Sequence, residues 1–256
     1  MRAIYTAFWQ QWKTSATNST ILLLMVRATL MVSVIAWIAG QSNDPSVLTY
    51  ILVGAPLMSI WEGVLHRVGW SLSSELFSRT LEFTLVSRTQ LIFVMFGKSL
   101  AQVLYGIPFG IVSFVTIFVI TGILPEVSSI GLLIPSFLLV IMSMTITSLL
   151  IAPLLVIVGG RGGFFDALIP FGVVLSGFLF PIDRLPVALE IAARCLPSSW
   201  AMECVWYAIE GYDSLWTVFG SLGMYILSLL AITIITYTLF KLVEKRIRIT
   251  GGLIIY

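Results

Sequence analysis

Six apolar runs, each near the roughly 20 residues a helix needs to cross a hydrocarbon core of about 30 Å, constrain this chain more than any motif does. They fall at 20–39, 47–65, 100–121, 131–158, 164–181 and 215–240. With 59% hydrophobic and 10% charged residues, the chain carries more apolar surface than one soluble core can hide. Backbone polar groups in lipid must be satisfied within the spanning segment, so the runs are predicted as helices and the fold as an all-α integral membrane domain.

Orientation follows from where Lys and Arg collect, because cytoplasmic loops retain them. Arg2 and Lys13 precede the first run, and Arg67, Arg79, Arg88 and Lys98 lie between the second and third. Arg161 follows the fourth, and Lys241, Lys245, Arg246 and Arg248 follow the sixth. The connections 40–46 and 122–130 have no Lys or Arg, while 182–214 sets Arg184 and Arg194 against five acids. Both termini are therefore expected in the cytoplasm. A cleaved signal peptide is not expected, since the first run has full span length and Trp37-Ile38-Ala39 lacks a small-x-small site.

Three intervals outside the runs carry pattern. In 1–17, Ile4, Tyr5, Phe8, Trp9 and Trp12 recur at helical spacing with polar residues elsewhere on the wheel, which predicts an elbow helix lying in the membrane interface. The interval 73–90 is the longest charged and polar stretch. Leu76, Phe77, Leu81 and Phe83 supply apolar anchors, and Glu75, Arg79, Glu82 and Arg88 a polar rim, the composition of a docking surface. The outward segment 182–214 has two apolar helical stretches, 185–195 and 198–210, around Pro197, which predicts a helical hairpin dipping into the outer leaflet. Cys195 and Cys204 both fall there; a disulfide across the Pro197 bend and two free thiols are both open readings.

Charges inside spans are rare and usually paired or functional. Span one runs outward and span two returns, so Arg27 and Glu62 are expected at similar depth, facing one another.

Enzymatic patterns are missing. Gly97-Lys98-Ser99 resembles the end of a phosphate loop, but the required earlier glycine position holds Ile92 within an apolar run. Gly159–Gly163 reads as a tight turn at a span end. One His, His66, and two Cys without metal-ligand spacing leave no expected metal site. No catalytic residue, nucleic-acid surface or energy-converting module is expected in the chain.

The order of elements resembles the permease subunits of bacterial ABC-2 type exporters, the family of nodulation-factor, polysaccharide and drug-export permeases. The likeness rests on the elbow, six spans, and an interval after span two in which Glu75, Thr80, Leu81 and Glu82 fall on the family's Glu…Gly-Thr-Leu-Glu pattern. It rests also on Ser176-Gly-Phe-Leu-Phe-Pro-Ile-Asp-Arg-Leu-Pro186 and Leu196-Pro197, similar to the family's Gly-x-x-Phe-Pro…Leu-Pro…Leu-Pro series. Arg79 stands where the family usually has Gly, and Arg88 where it has Pro.

The resemblance implies a type V exporter-like fold in a bacterial inner membrane, with membrane lipids around it. It implies that 73–90, through Glu75, Leu76, Arg79, Thr80, Glu82, Phe83 and Arg88, is a coupling helix docking on a separate ABC ATPase that binds ATP and Mg. It implies a second permease copy, identical or different. It makes 182–214 a re-entrant pair capping the pathway, with Phe178, Phe180, Pro181, Pro186 and Pro197 at a gate. Apolar, aromatic-rich spans favour an amphipathic or lipid-like cargo such as a drug, natural product or glycan conjugate. The alternative is a self-sufficient secondary transporter, which would ordinarily show inverted repeats and ionisable residues near the midplane, or a multispan membrane protein without an ATPase.

Overall fold

The computed structural model describes residues 2–17, 19–40, 45–77, 90–122, 124–125, 127–157, 170–212 and 214–250, and among these the regular structure is entirely helical. The helices are α1 (Arg2–Thr17), α2 (Ser19–Gly40), α3 (Pro45–Phe77), α4 (Leu91–Thr121), α5 (Ile130–Ile157), α6 (Val187–Arg194), α7 (Pro197–Glu210) and α8 (Leu215–Thr250). Residues 170–175 are also helical, and a 3-10 turn spans Ile182–Arg184.

Four of these helices hold stretches long and apolar enough to cross a membrane: 48–65 of α3, all of α4, all of α5, and Leu215–Arg246 of α8. The helix α2 coincides with the first expected run. The first six residues of the fifth run, 164–169, lie outside the described residues, and the rest of it, 170–181, is described.

Two boundaries differ from the sequence expectation, for related reasons. The helix α3 continues through the expected span end at 65 to Phe77, so the first part of the 73–90 interval is one rod with the second span. The helix α4 starts at Leu91, nine residues before the expected 100, because Leu91–Phe96 is itself apolar and has a neighbour to bury against. That neighbour is α1. A Cβ at Gly97 would crowd the Ile4 carbonyl and the Ala7 methyl, so the missing side chain lets the two backbones meet.

The core lies between α3, α5 and α7. Trp61, Val64, Met95, Met144, Phe178 and Val205 are all buried within it. Ile60 of α3 lies against Gly106 and Gly110 of α4, so that small-residue pair serves packing within the chain. Hydroxyls bind the helices where apolar solvent would leave polar groups unsatisfied. The Ser99 hydroxyl donates to the Thr145 carbonyl at 3.0 Å and lies against the Ser148 hydroxyl; Ser113 faces Thr29 at 3.3 Å and Ser59 at 3.4 Å.

The outward faces are apolar: Leu23, Leu30 and Trp37 on α2, Ile111 and Val119 on α4, and Phe219, Leu227 and Ile234 on α8 are exposed. Contiguous apolar surface of this kind suits hydrocarbon rather than water.

Candidate functional site

Two ends of the helical body carry functional chemistry, and different forces build them. At the end where the expected docking interval lies, α3 leads out and α4 leads back. Glu75 and Leu76 sit in the last turn of α3. Arg79, Thr80, Glu82, Phe83 and Arg88 lie outside the described residues.

The return into α4 is held from a distance. Gln90 occupies the N-cap position of α4 without a side-chain cap, and the Leu91 backbone N–H instead donates to Glu244 Oε1 of α8 at 2.8 Å. A carboxylate at a helix N-terminus satisfies an orphan donor and complements the helix dipole. The interval 73–90 is thus followed at once by a contact with α8.

Arg27 Nη2 lies 2.5 Å from Glu62 Oε1, joining α2 to α3. The Arg27 side chain is 60% exposed and that of Glu62 26%, so the pair sits on the outer flank of the bundle rather than in its centre.

Arg67 is a residue that sequence reading counted only as a cytoplasmic charge. It is 8% exposed, and none of its three guanidinium nitrogens has a hydrogen-bond partner among the described residues. The Tyr105 ring lies 5.9 Å from its Cζ, and Tyr105 in turn meets Trp12 of α1 edge-on at 5.5 Å. Burial lowers the guanidinium to about 10, with Tyr105 acting in the opposite direction. Arg67 therefore stays charged at neutral pH, a buried cation with no ion pair among the described residues. Close by in sequence on α4, Gln102 donates to the Ser15 hydroxyl at 3.0 Å while its Oε1 is unpartnered.

At the other end, residues 176–210 fold into a compact elbow of their own. The Phe178 side chain is fully buried and meets Trp61 edge-on at 5.8 Å. Its carbonyl presses on Gly54 of α3, where any Cβ would overlap it. Phe180 and Pro181 are half-buried; Pro181 precedes the 3-10 turn, Pro186 precedes α6, and Pro197 is the first residue of α7, where a missing N–H costs nothing.

Arg194 ties these pieces together. It pairs with Asp183 at 2.7 Å and Glu190 at 2.9 Å, and its Cζ lies 5.1 Å from the Trp200 ring centre. Hydrogen bonding to Glu190 raises its pKa most, partly offset by burial and reinforced by the charges of Glu203 and Asp183.

Cys195 is exposed and Cys204 buried, and both are free thiols, so the bridge that the sequence left open is not formed. Cys204 lies on the face of α7 turned into the core, while Cys195 caps α6 at its open side. Burial pushes the Cys204 thiol up to about 12, with the charge of Glu203 adding to the effect.

Between α3 and α7 a cavity of about 150 Å³ opens, lined by Tyr50, Glu203, Trp206, Tyr207 and Glu210 among others. Tyr50 and Trp206 pack edge to face at 4.6 Å. The Tyr207 hydroxyl donates to Glu203 at 2.8 Å, and the Tyr50 hydroxyl to Glu210 at 2.5 Å. Glu203, Trp206, Tyr207 and Glu210 share one face of α7 at helical spacing, a signal visible in sequence; Tyr50 arrives from α3 and has no sequence signal.

Among the described residues no group of three or more His, Cys, Asp or Glu is placed to hold a metal. The family described as ABC-2 type transporter matches residues 2–209, a stretch that includes α1, the interval 73–90, α6 and all of α7 but its last residue. No curated protein matches the chain.

Proposed function

This chain belongs to the ABC-2 type transporter family and is the membrane permease component of an ABC transporter, and from that premise we propose that it moves an amphipathic cargo outward, driven by ATP hydrolysis in a separate subunit. The observation that carries the reading is the family match over 2–209 on a chain without a phosphate loop.

In this reading six spans cross a bacterial inner membrane with both termini inside, and the interval 73–90 docks on the ATPase. Two permease copies enclose the path, because six spans are few to enclose one alone. ATP-driven closure of the ATPase pair moves the docked interval. The motion reaches the bundle through α3, which is continuous with the interval's start, and through the Leu91–Glu244 contact at its end. Nucleotide must favour one of two permease conformations for this to perform work. The outer hairpin, with Phe178 buried against Trp61, is the element that opens for release.

The test is transport in proteoliposomes. Outward movement of cargo is expected only with the ATPase subunit and hydrolysable ATP present. Proton-gradient-driven transport by the chain alone would assign it to secondary transporters.

A further inference from the structure

We propose that the cavity between α3 and α7 is a binding site for an alkylammonium group, a primary or quaternary organic amine. Its walls hold Asp183, Glu203 and Glu210 against one guanidinium, that of Arg194. Arg194 is ion-paired with Asp183 and with Glu190 and feels Glu203 only through its charge, while Glu203 and Glu210 accept hydrogen bonds from tyrosine hydroxyls and form no ion pair among the described residues. A tyrosine hydroxyl satisfies one lone pair of a carboxylate and none of its charge. Three carboxylates against one guanidinium thus leave the cavity net negative.

The remaining walls say what kind of cation fits. Tyr50 and Trp206 contribute aromatic surface, which attracts an organic ammonium through the ring quadrupole. Met202 adds an apolar, polarisable contact. A hydrated metal ion gains nothing from such walls, and an anion meets net negative charge. At about 150 Å³ the space takes a head group of roughly benzene size and not a whole drug-sized molecule. The occupant is therefore the charged end of something larger, its apolar part left at the bilayer side. That it belongs to cargo on its way out rests on the exporter reading; the binding site itself does not.

Choline, with its neutral carbon isostere 3,3-dimethylbutan-1-ol, is the probe. Binding is measured by equilibrium dialysis on the full chain in nanodiscs of phosphatidylglycerol, which carries no ammonium group. Choline is expected to bind and the isostere to bind at least about tenfold more weakly, the scale of one charge-assisted contact. The double variant Glu203→Gln, Glu210→Gln is expected to weaken choline about tenfold or more. Equal binding of choline and isostere to the native chain overturns the proposal, and that arm needs no variant. So does unchanged choline binding in a double variant that elutes and melts like the native chain. Nanodiscs containing phosphatidylethanolamine separate the sources: competition by the lipid points to a lipid amine, and its absence to a cargo amine, with the ammonium site standing in both cases. Failure of the ATPase to associate would remove the exporter reading and leave the choline result untouched.

Discussion

The two ends of this permease hold opposite kinds of charge. At the end that carries α1, Arg67 is buried beside Tyr105 with no hydrogen-bond partner among the described residues. At the opposite end, Glu203 and Glu210 line a cavity and accept hydrogen bonds from tyrosine hydroxyls. In the proposed orientation a cation at the end that carries α1 follows from the retention of Lys and Arg on the cytoplasmic side. That rule makes no demand for carboxylates in a cavity at the opposite end. The proposed topology accounts for the first charge, and the proposed ammonium site for the second.

Packing divides the ends as well. Backbones meet at both ends, but a Cβ at Gly54 would lie 1.5 Å from the Phe178 carbonyl oxygen and one at Gly97 2.5 Å from that of Ile4. The largest expected effect therefore belongs to Gly54. Gly54→Ala forces the Phe178 carbonyl away from α3 and should cost about 3 kcal/mol, the upper range for overpacking, seen as a lower midpoint in thermal unfolding in detergent. An unchanged midpoint would show that the hairpin is not held there.

Next come the charges of α2 and α3. Arg27→Glu or Glu62→Arg alone should reduce membrane assembly or transport, with up to about 2.5–3.5 kcal/mol at stake for an unpaired charge near the helix centre and less towards the interface. Reversing both should restore it. Failure of the double reversal would leave the 2.5 Å contact without a role. Arg67→Met should behave in the opposite way, stabilising the isolated chain by about 1–4 kcal/mol, because a buried cation without a counter-charge is replaced by an apolar side chain. A loss of stability would mean that Arg67 has a counter-charge in the bilayer.

Arg194 gives a smaller effect with a defined pH signature. Its folded pKa is raised above the ordinary arginine value, so the contribution of the guanidinium is fully present below that value and lost only as pH rises through the folded one. Arg194→Gln should therefore lower stability by about 1 kcal/mol, discounted for the partly exposed site, with a difference that is flat from pH 6 to 9. A difference that collapses within that range would place the effect on another group.

Legibility in the sequence followed the range of the interactions. Helices α2 and α8 and the Arg27–Glu62 juxtaposition were readable because a span is set by its own apolar length and an antiparallel neighbour fixes depth. The early start of α4 was not, because Leu91–Phe96 becomes a buried helix only when α1 packs on Gly97. The Glu244 contact with Leu91 joins residues 153 positions apart and breaks no local pattern. The carboxylate face of α7 was present at helical spacing, but the Tyr50 wall that turns it into a cavity comes from another helix. Arg67 was visible as a charge and invisible as a buried one, since burial depends on the elbow above it.

The central claim is that an ATPase works through the interval 73–90. The most direct measurement is affinity purification of the native chain from its own membranes, beside a variant carrying Arg79→Glu and Arg88→Glu. The account predicts a Walker-motif ATPase subunit copurifying with the native chain, and much less of it with the variant at equal membrane insertion. Recovery of a transport-competent native chain with no ATPase, or equal recovery with both chains, would contradict it.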